Sequence, residues 1–198
     1  MCPDASRCVL LIRNLGAVCN MPLVHVRNNK PILVIGWGPN YENKHFEADT
    51  ATMQGLSLAL YGKKNRSASA RLRFDFINLN QYYHGKDKQT TCDKICRLDA
   101  LGTVVALEKE MIIAKYKGCI VWSPSVAERL LETQNILTGK RYAVIPSVKY
   151  KVQEDFGVLF TVIDHPLNLN FNLKGRDASR NAMLELEQSL TGAASIAA

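Results

Sequence analysis

The sequence predicts a single compact α+β domain built on a mostly antiparallel β-sheet with about three helices. Three observations carry that expectation. Short apolar, β-branched runs are separated by Gly, Asn and Pro punctuation, three helical patterns are widely spaced along the chain, and no strict β–α–β alternation is visible. The last of these argues against a doubly wound nucleotide-binding fold.

In order, "CVLLI", "PLVHV" and "PILVIGW" read as strands joined by turns. "DTATMQGLSLALYG" predicts a helix over 50–61: Asp49 or Thr50 caps its start, Met53, Leu56 and Leu60 share a face, and Gly62 suits a left-handed stop, with Gly55 as a weak point. After a basic loop, "RLRFDFINLN" alternates. Leu72, Phe74 and Phe76 oppose Arg71, Arg73 and Asp75, as in a strand with one buried and one wet face, and a bulge near Ile77 restores the register. Arg71 and Arg73 are thus expected to project from one sheet face.

Residues 80–97 read as an exposed polar excursion, 98–113 as either helix or strand, and 117–122 as a strand. "SPSVAERLLETQ" opens a helix with Ser123 as N-cap and Pro124 in its first turn. "GKRYAVIPSVKYKV" and "FGVLFTVI" read as strands, the second continuous enough to be central. "LNLNFNL" alternates apolar and Asn residues. Asp177 is placed to cap the last helix, on which Met183, Leu186 and Leu190 share a stripe. One globular domain is expected over 1–190, with a flexible tail at 191–198.

A chain of 198 residues, 47% hydrophobic and 22% charged, has the composition of a globular protein with room for one good core. Its net charge of +7 points to an acidic partner. The excess lies wholly in the first half: residues 1–97 hold 14 Lys or Arg against 7 Asp or Glu, whereas 98–198 hold 11 of each. The N-terminus does not read as a secretory signal, and no window approaches the ~18 apolar residues of a membrane span. The scattered cysteines at 2, 8, 19, 92, 96 and 119 suggest free thiols and a cytoplasmic or nuclear setting.

Few residues carry a recognisable chemistry. His84, Cys92 and Cys96, with Cys119 as a fourth donor, are zinc candidates, but the spacing lacks paired C-x₂-C and unliganded thiols are the simpler expectation. Asp164 and His165 adjoin in "IDHP". Neighbours on an extended segment face opposite ways, so they do not form a hydrogen-bonded dyad. "GWGPN" is too short to cradle a phosphate and reads as a turn that lets Trp37 pack. The strongest feature is the basic segment, in which Lys63, Lys64, Arg66, Arg71 and Arg73 come together, followed by Tyr82 and Tyr83, which suit stacking on unpaired bases. No catalytic residue and no cofactor is expected.

The order helix, basic loop, amphipathic strand in "EADTATMQGLSLALYGKKNRSASARLRFDFINL", together with "YKGCIVW" and the late strands and C-terminal helix, resembles rhabdovirus-type matrix proteins over about half the chain. The chain departs from them in having no lysine-rich N-terminal arm and no proline–tyrosine motif. The resemblance implies a non-enzymatic assembly protein that self-associates and bridges ribonucleoprotein and an anionic membrane surface, as a peripheral or virion component. Two alternatives stand beside it. One is a small RNA-binding regulator, such as a viral suppressor of RNA silencing, using the same basic residues with Tyr82 and Tyr83. The other is an enzyme of unrecognised family centred on Cys92, Cys96 or His165.

Overall fold

The protein is described by a computed structural model over residues 26–38, 46, 49–80, 100–104, 116–139, 141, 143–155 and 157–196. Its centre is a run of apolar segments buried on both sides. Strand β1 (Ile32–Gly36) is buried at all five positions, as is β3 (Gly118–Trp122), while β2 (Asp75–Asn78) is buried at all four. Strands with no wet face belong inside a sheet covered by helices on both sides, the usual setting of parallel pairing. β1 pairs parallel with β2 and β3, and β3 pairs parallel with β5 (Val158–Ile163). Only β4 (Val152–Asp155) runs antiparallel, along the far side of β5, giving the order β2-β1-β3-β5-β4.

Side-chain alternation along β1 divides the core. Leu33 and Ile35 join Ile77, Val121, Val162 and the helix α3 (Pro124–Thr138), through Val126, Ala127, Leu130 and Leu131. Ile32 and Val34 join Phe76, Ile120, Trp122 and Ile163 under the other helices. Those are α1 (Ala51–Tyr61), the short α2 (Ser67–Arg71) and α4 (Pro166–Leu169), and the long α5 (Leu173–Ile196). The result is three layers, helix–sheet–helix.

This overturns the expected mostly antiparallel sheet with about three helices. Three of the four strand pairings are parallel, and the described residues contain six helical elements, one of them a 3-10 turn at Lys64–Arg66, besides a helical stretch at 100–104. The β–α–β alternation thought absent is present twice. β1 leads through α1 and α2 to β2, and β3 leads through α3 to β5 with β4 interposed. Of the N-terminal runs read as strands, 1–25 lie outside the described residues, and Val26 makes an isolated antiparallel bridge to Phe76.

Local signals fared better where a cap fixes an end. Thr50 Oγ1 accepts the Met53 N–H at 3.3 Å, and Gly62 closes α1 at φ 68, as its sequence suggests. Ser123 and Pro124 open α3 at the expected place. Elsewhere packing prevails over pattern. Residues 67–71 are helical, so β2 begins only at Asp75, and Leu72 stands 59% exposed rather than in a buried stripe. Asp75 is not on a wet face. It is fully buried, and its carboxylate takes the backbone N–H groups of Asn28 (2.7 Å) and Lys30 (3.1 Å) and the Tyr116 hydroxyl (2.6 Å). "LNLNFNL" is not a strand. It forms α4, a turn and the start of α5, which begins four residues before Asp177, with Asn172 Oδ1 accepting the Gly175 N–H at 3.0 Å. Among the described residues of "GKRYAVIPSVKYKV", only Val152 falls in a strand.

Helices α1 and α4 cross where α1 has no side chain. A Cβ at Gly55 would lie 1.9 Å from the Pro166 carbonyl oxygen, which is backbone and cannot step aside. Gly55→Ala is therefore expected to lower the free energy of unfolding by roughly 3 kcal/mol, the upper range for overpacking a tight contact, as read by urea denaturation followed by circular dichroism.

Candidate functional site

All four parallel strands end at the same edge of the sheet. There the connections diverge: β1 leads to α1 over one face and β3 leads to α3 over the other. A crevice opens where neighbouring strands send their chains to opposite sides, and ligands of open α/β sheets bind in it. Here that place is the carboxyl ends of β1 and β3.

The register puts specific residues there. Gly36 pairs with Asn78, and Trp122 with Ile163; because Ile35 pairs with Val121, Gly36 stands beside Trp122. Asn78, Gly36, Trp122 and Ile163 thus form a row across the sheet, on the face covered by α1 and α4. The pairing of β1 and β2 runs on past the strands, with Leu79 N–H donating to Gly36 C=O (2.9 Å) and Asn80 N–H to Trp37 C=O (2.8 Å). Asn80 and His165 therefore stand two residues further along the same face than Asn78 and Ile163.

Gly36 is what lets this row close up. A Cβ there would come within 2.6 Å of Asn78 Oδ1 and 3.3 Å of Trp122 Cε3, so any side chain would drive the amide and the indole apart. Trp122 is held from its other sides by Phe46 (ring centroids 5.6 Å apart, edge-on), Phe76 (6.1 Å) and His165 (5.6 Å, edge-on). The lining is aromatic on one side and carboxamide on the other.

Two polar groups in this lining are buried and unsatisfied. Asn80 is 1% exposed, yet neither its Oδ1 nor its Nδ2 has a hydrogen-bond partner among the described residues, and the same holds for Nε1 of Trp122, 2% exposed. Burying such groups unpaired costs on the order of 1–3 kcal/mol each, a cost that a complementary ligand removes.

His165 adds a directional donor. Its Nδ1 accepts the Leu167 N–H at 3.2 Å, so the neutral ring carries its proton on Nε2. Burial lowers its pKa and favours this neutral form. On the opposite side of the chain Asp164 accepts Lys149 Nζ (2.7 Å) and the Tyr150 hydroxyl (2.6 Å), so Asp164 and His165 do diverge and make no dyad. Burial alone raises the Asp164 pKa, but the hydrogen bonds from Lys149 and Tyr150 outweigh it, and the carboxyl lies below its ordinary value. Ser123, at the exit of β3, holds φ 92 without being glycine, a strained backbone at the mouth of the crevice.

The residues singled out from sequence lie elsewhere. Helix α1 runs back from the carboxyl edge, so Lys63, Lys64 and Arg66, which follow it, are at the amino edge and exposed. Arg71 is half-buried and donates from Nε to the Phe46 carbonyl at 2.7 Å. Arg73 forms a two-pronged ion pair with Glu187 on α5, with Nε to Oε1 at 2.7 Å and a second, shorter contact from its Nη2 to Oε2. That pairing raises its pKa and occupies its charge. Since residues 67–71 are helical, Arg71 and Arg73 do not share a sheet face as expected. Tyr82, Tyr83, His84, Cys92 and Cys96 lie outside the described residues. Cys119 is buried in β3, and burial pushes its thiol up to about 12.

Asn78, Asn80 and Trp122 were not picked out in sequence. A signal was present: "FINLN" ends a buried apolar strand on two Asn residues, a type depleted in strands, at a spacing of two that puts them on one face.

Comparison with known protein families finds no family model that matches the chain, and comparison with curated proteins finds no match either. Among the described residues no helix is long and apolar enough to cross a membrane.

The depressed pKa of His165 has a sign that can be checked. The unfolded ring titrates near 6.5. Its contribution to stability is therefore complete above that value and is lost as pH falls through the lower, folded pKa. Urea midpoints measured between pH 7 and pH 5 are expected to decline, and His165→Gln is expected to flatten that part of the decline. An unchanged slope in the variant counts against a buried neutral imidazole.

Proposed function

We propose that the carboxyl-edge crevice recognises a nucleobase, and that the protein acts on nucleotides or on unpaired bases of a nucleic acid strand. The observation that carries this reading is the Asn80 carboxamide, buried with neither its oxygen nor its nitrogen paired among the described residues. A carboxamide presents one acceptor and two donors in a plane. The edge of a nucleobase presents the complementary pattern in a plane, and Asn is a side chain of choice for reading it. The Trp122 and Phe46 rings, packed edge-on against each other, make the neighbouring side apolar. β2 and β3 flank β1, so the Asn and Trp sides come from strands about 10 Å apart and face each other across Gly36. His165 enters as a neutral donor through Nε2, not as a base, because its other nitrogen is already occupied.

The reading departs from the matrix-protein analogy, which the crevice neither needs nor explains.

Thermal denaturation and calorimetry with a panel of nucleosides and a short single-stranded oligonucleotide test the proposal. At least one base is expected to raise the melting temperature, and Asn80→Ala is expected to weaken its binding about tenfold to a hundredfold, the range for losing one two-pronged contact. Asn80→Asp, which keeps an acceptor and removes the amide donors, is expected to change which base is preferred. If no base-bearing compound shifts the transition, the reading is wrong.

A further inference from the structure

The topology gathers positive charge at the edge of the sheet opposite the crevice. Lys30 precedes β1, Lys117 precedes β3, and Lys63, Lys64 and Arg66 follow α1, whose C-terminus reaches the same edge. All five are exposed. Hydrogen bonds bind their segments together. Lys117 N–H donates to the Pro31 carbonyl (3.0 Å), Lys30 N–H to Asp75 (3.1 Å), and the Asn28 amide to the carbonyls of Arg71 (2.7 Å) and Phe74 (2.6 Å).

Two carboxylates near these cations are committed. Asp75 is fully buried and receives three donors, and Glu187 is taken by Arg73. Glu154 and Asp155 end β4, at the far side of the same edge, three strands from β1. Cations just past a helix C-terminus answer its dipole, which accounts for Lys63 and Lys64. It does not account for Lys30 or Lys117, which enter strands. Among the described residues, five solvated cations at one edge outnumber the exposed acids there, Glu154 and Glu185, and the surplus makes a positive field that a repeating phosphate charge matches.

We infer that this amino edge, through Lys30, Lys63, Lys64, Arg66 and Lys117, docks the phosphodiester backbone of a nucleic acid strand without reading its sequence. The surface stands on charge placement alone and does not rest on the crevice. A nucleic acid fits better than a lipid surface because, among the described residues, the edge offers ends of strands and turns, with Leu72 as the one large exposed apolar side chain near it.

The test measures binding of a labelled single-stranded oligonucleotide, as RNA and as DNA, across a series of salt concentrations. The variant carries Lys30→Ala, Lys63→Ala, Lys64→Ala, Arg66→Ala and Lys117→Ala together. Each neutralised phosphate contributes ~0.7 to the slope of log affinity against log salt, so the slope is expected to become shallower by roughly 3.5, with affinity at least about tenfold lower. The triple variant at 63, 64 and 66, all on exposed residues, is expected to lose roughly 2 from the slope and guards against a folding defect in the larger one. Asn80→Ala should leave the slope unchanged, so loss of base recognition and loss of this surface give separate readouts. An unaltered slope in the triple variant overturns the inference. So does binding to phosphatidylserine vesicles with no binding to either oligonucleotide.

Discussion

The parallel ladder between β1 and β3 is the constraint on which the molecule depends. It runs from Ile32 opposite Gly118 to Ile35 opposite Val121, in the middle of the sheet and buried on both faces. Because the two strands point the same way and hand their chains to opposite layers, helices cover both faces and the carboxyl edge must open between them. Gly36 at the end of that ladder then decides how closely Asn78 and Trp122 approach. The same ladder holds Lys30 and Lys117 at the entry of its two strands. Crevice and charged edge are two ends of one piece of backbone pairing.

Sequence spoke clearly where a short-range interaction fixes the outcome. Helix α1 could be placed because Thr50 and Gly62 satisfy its ends chemically, and α3 because Pro124 suits a first turn. It misled where a segment's own pattern competes with long-range packing. "RLRFDF" alternates like a strand, but Ala70 is drawn into the core and the residues before Leu72 wind into α2. "LNLNFNL" alternates as well, yet Pro166 starts a helical turn, Leu169 packs inward, and Phe171 is left 87% exposed.

Strand direction is a harder matter. "PILVIG", "GCIVW" and "GVLFTVI" are unbroken apolar runs, which is what two-sided burial requires, and that was the available hint of a parallel sheet. Direction itself is set by crossovers some forty residues long between β1 and β2 and between β2 and β3, which periodicity within a window does not register. The crevice was hidden for the same reason. Asn80, Trp122 and His165 are far apart in the chain and come to one face and edge of the sheet only through the strand order. The charge excess, by contrast, was visible in composition, but its members were not: Arg73 turns to Glu187, while Lys30 and Lys117 join from outside the basic segment.

The contact between Gly55 and Pro166 bears on how the crevice is held. The Pro166 carbonyl sits against the bare backbone of α1, and the Asn170 side chain donates to the Ala51 carbonyl at 3.1 Å. His165 immediately precedes this clamp. The backbone at His165 is therefore tied to α1 through α4, and the two short helices form one braced layer beside the ends of β3 and β5.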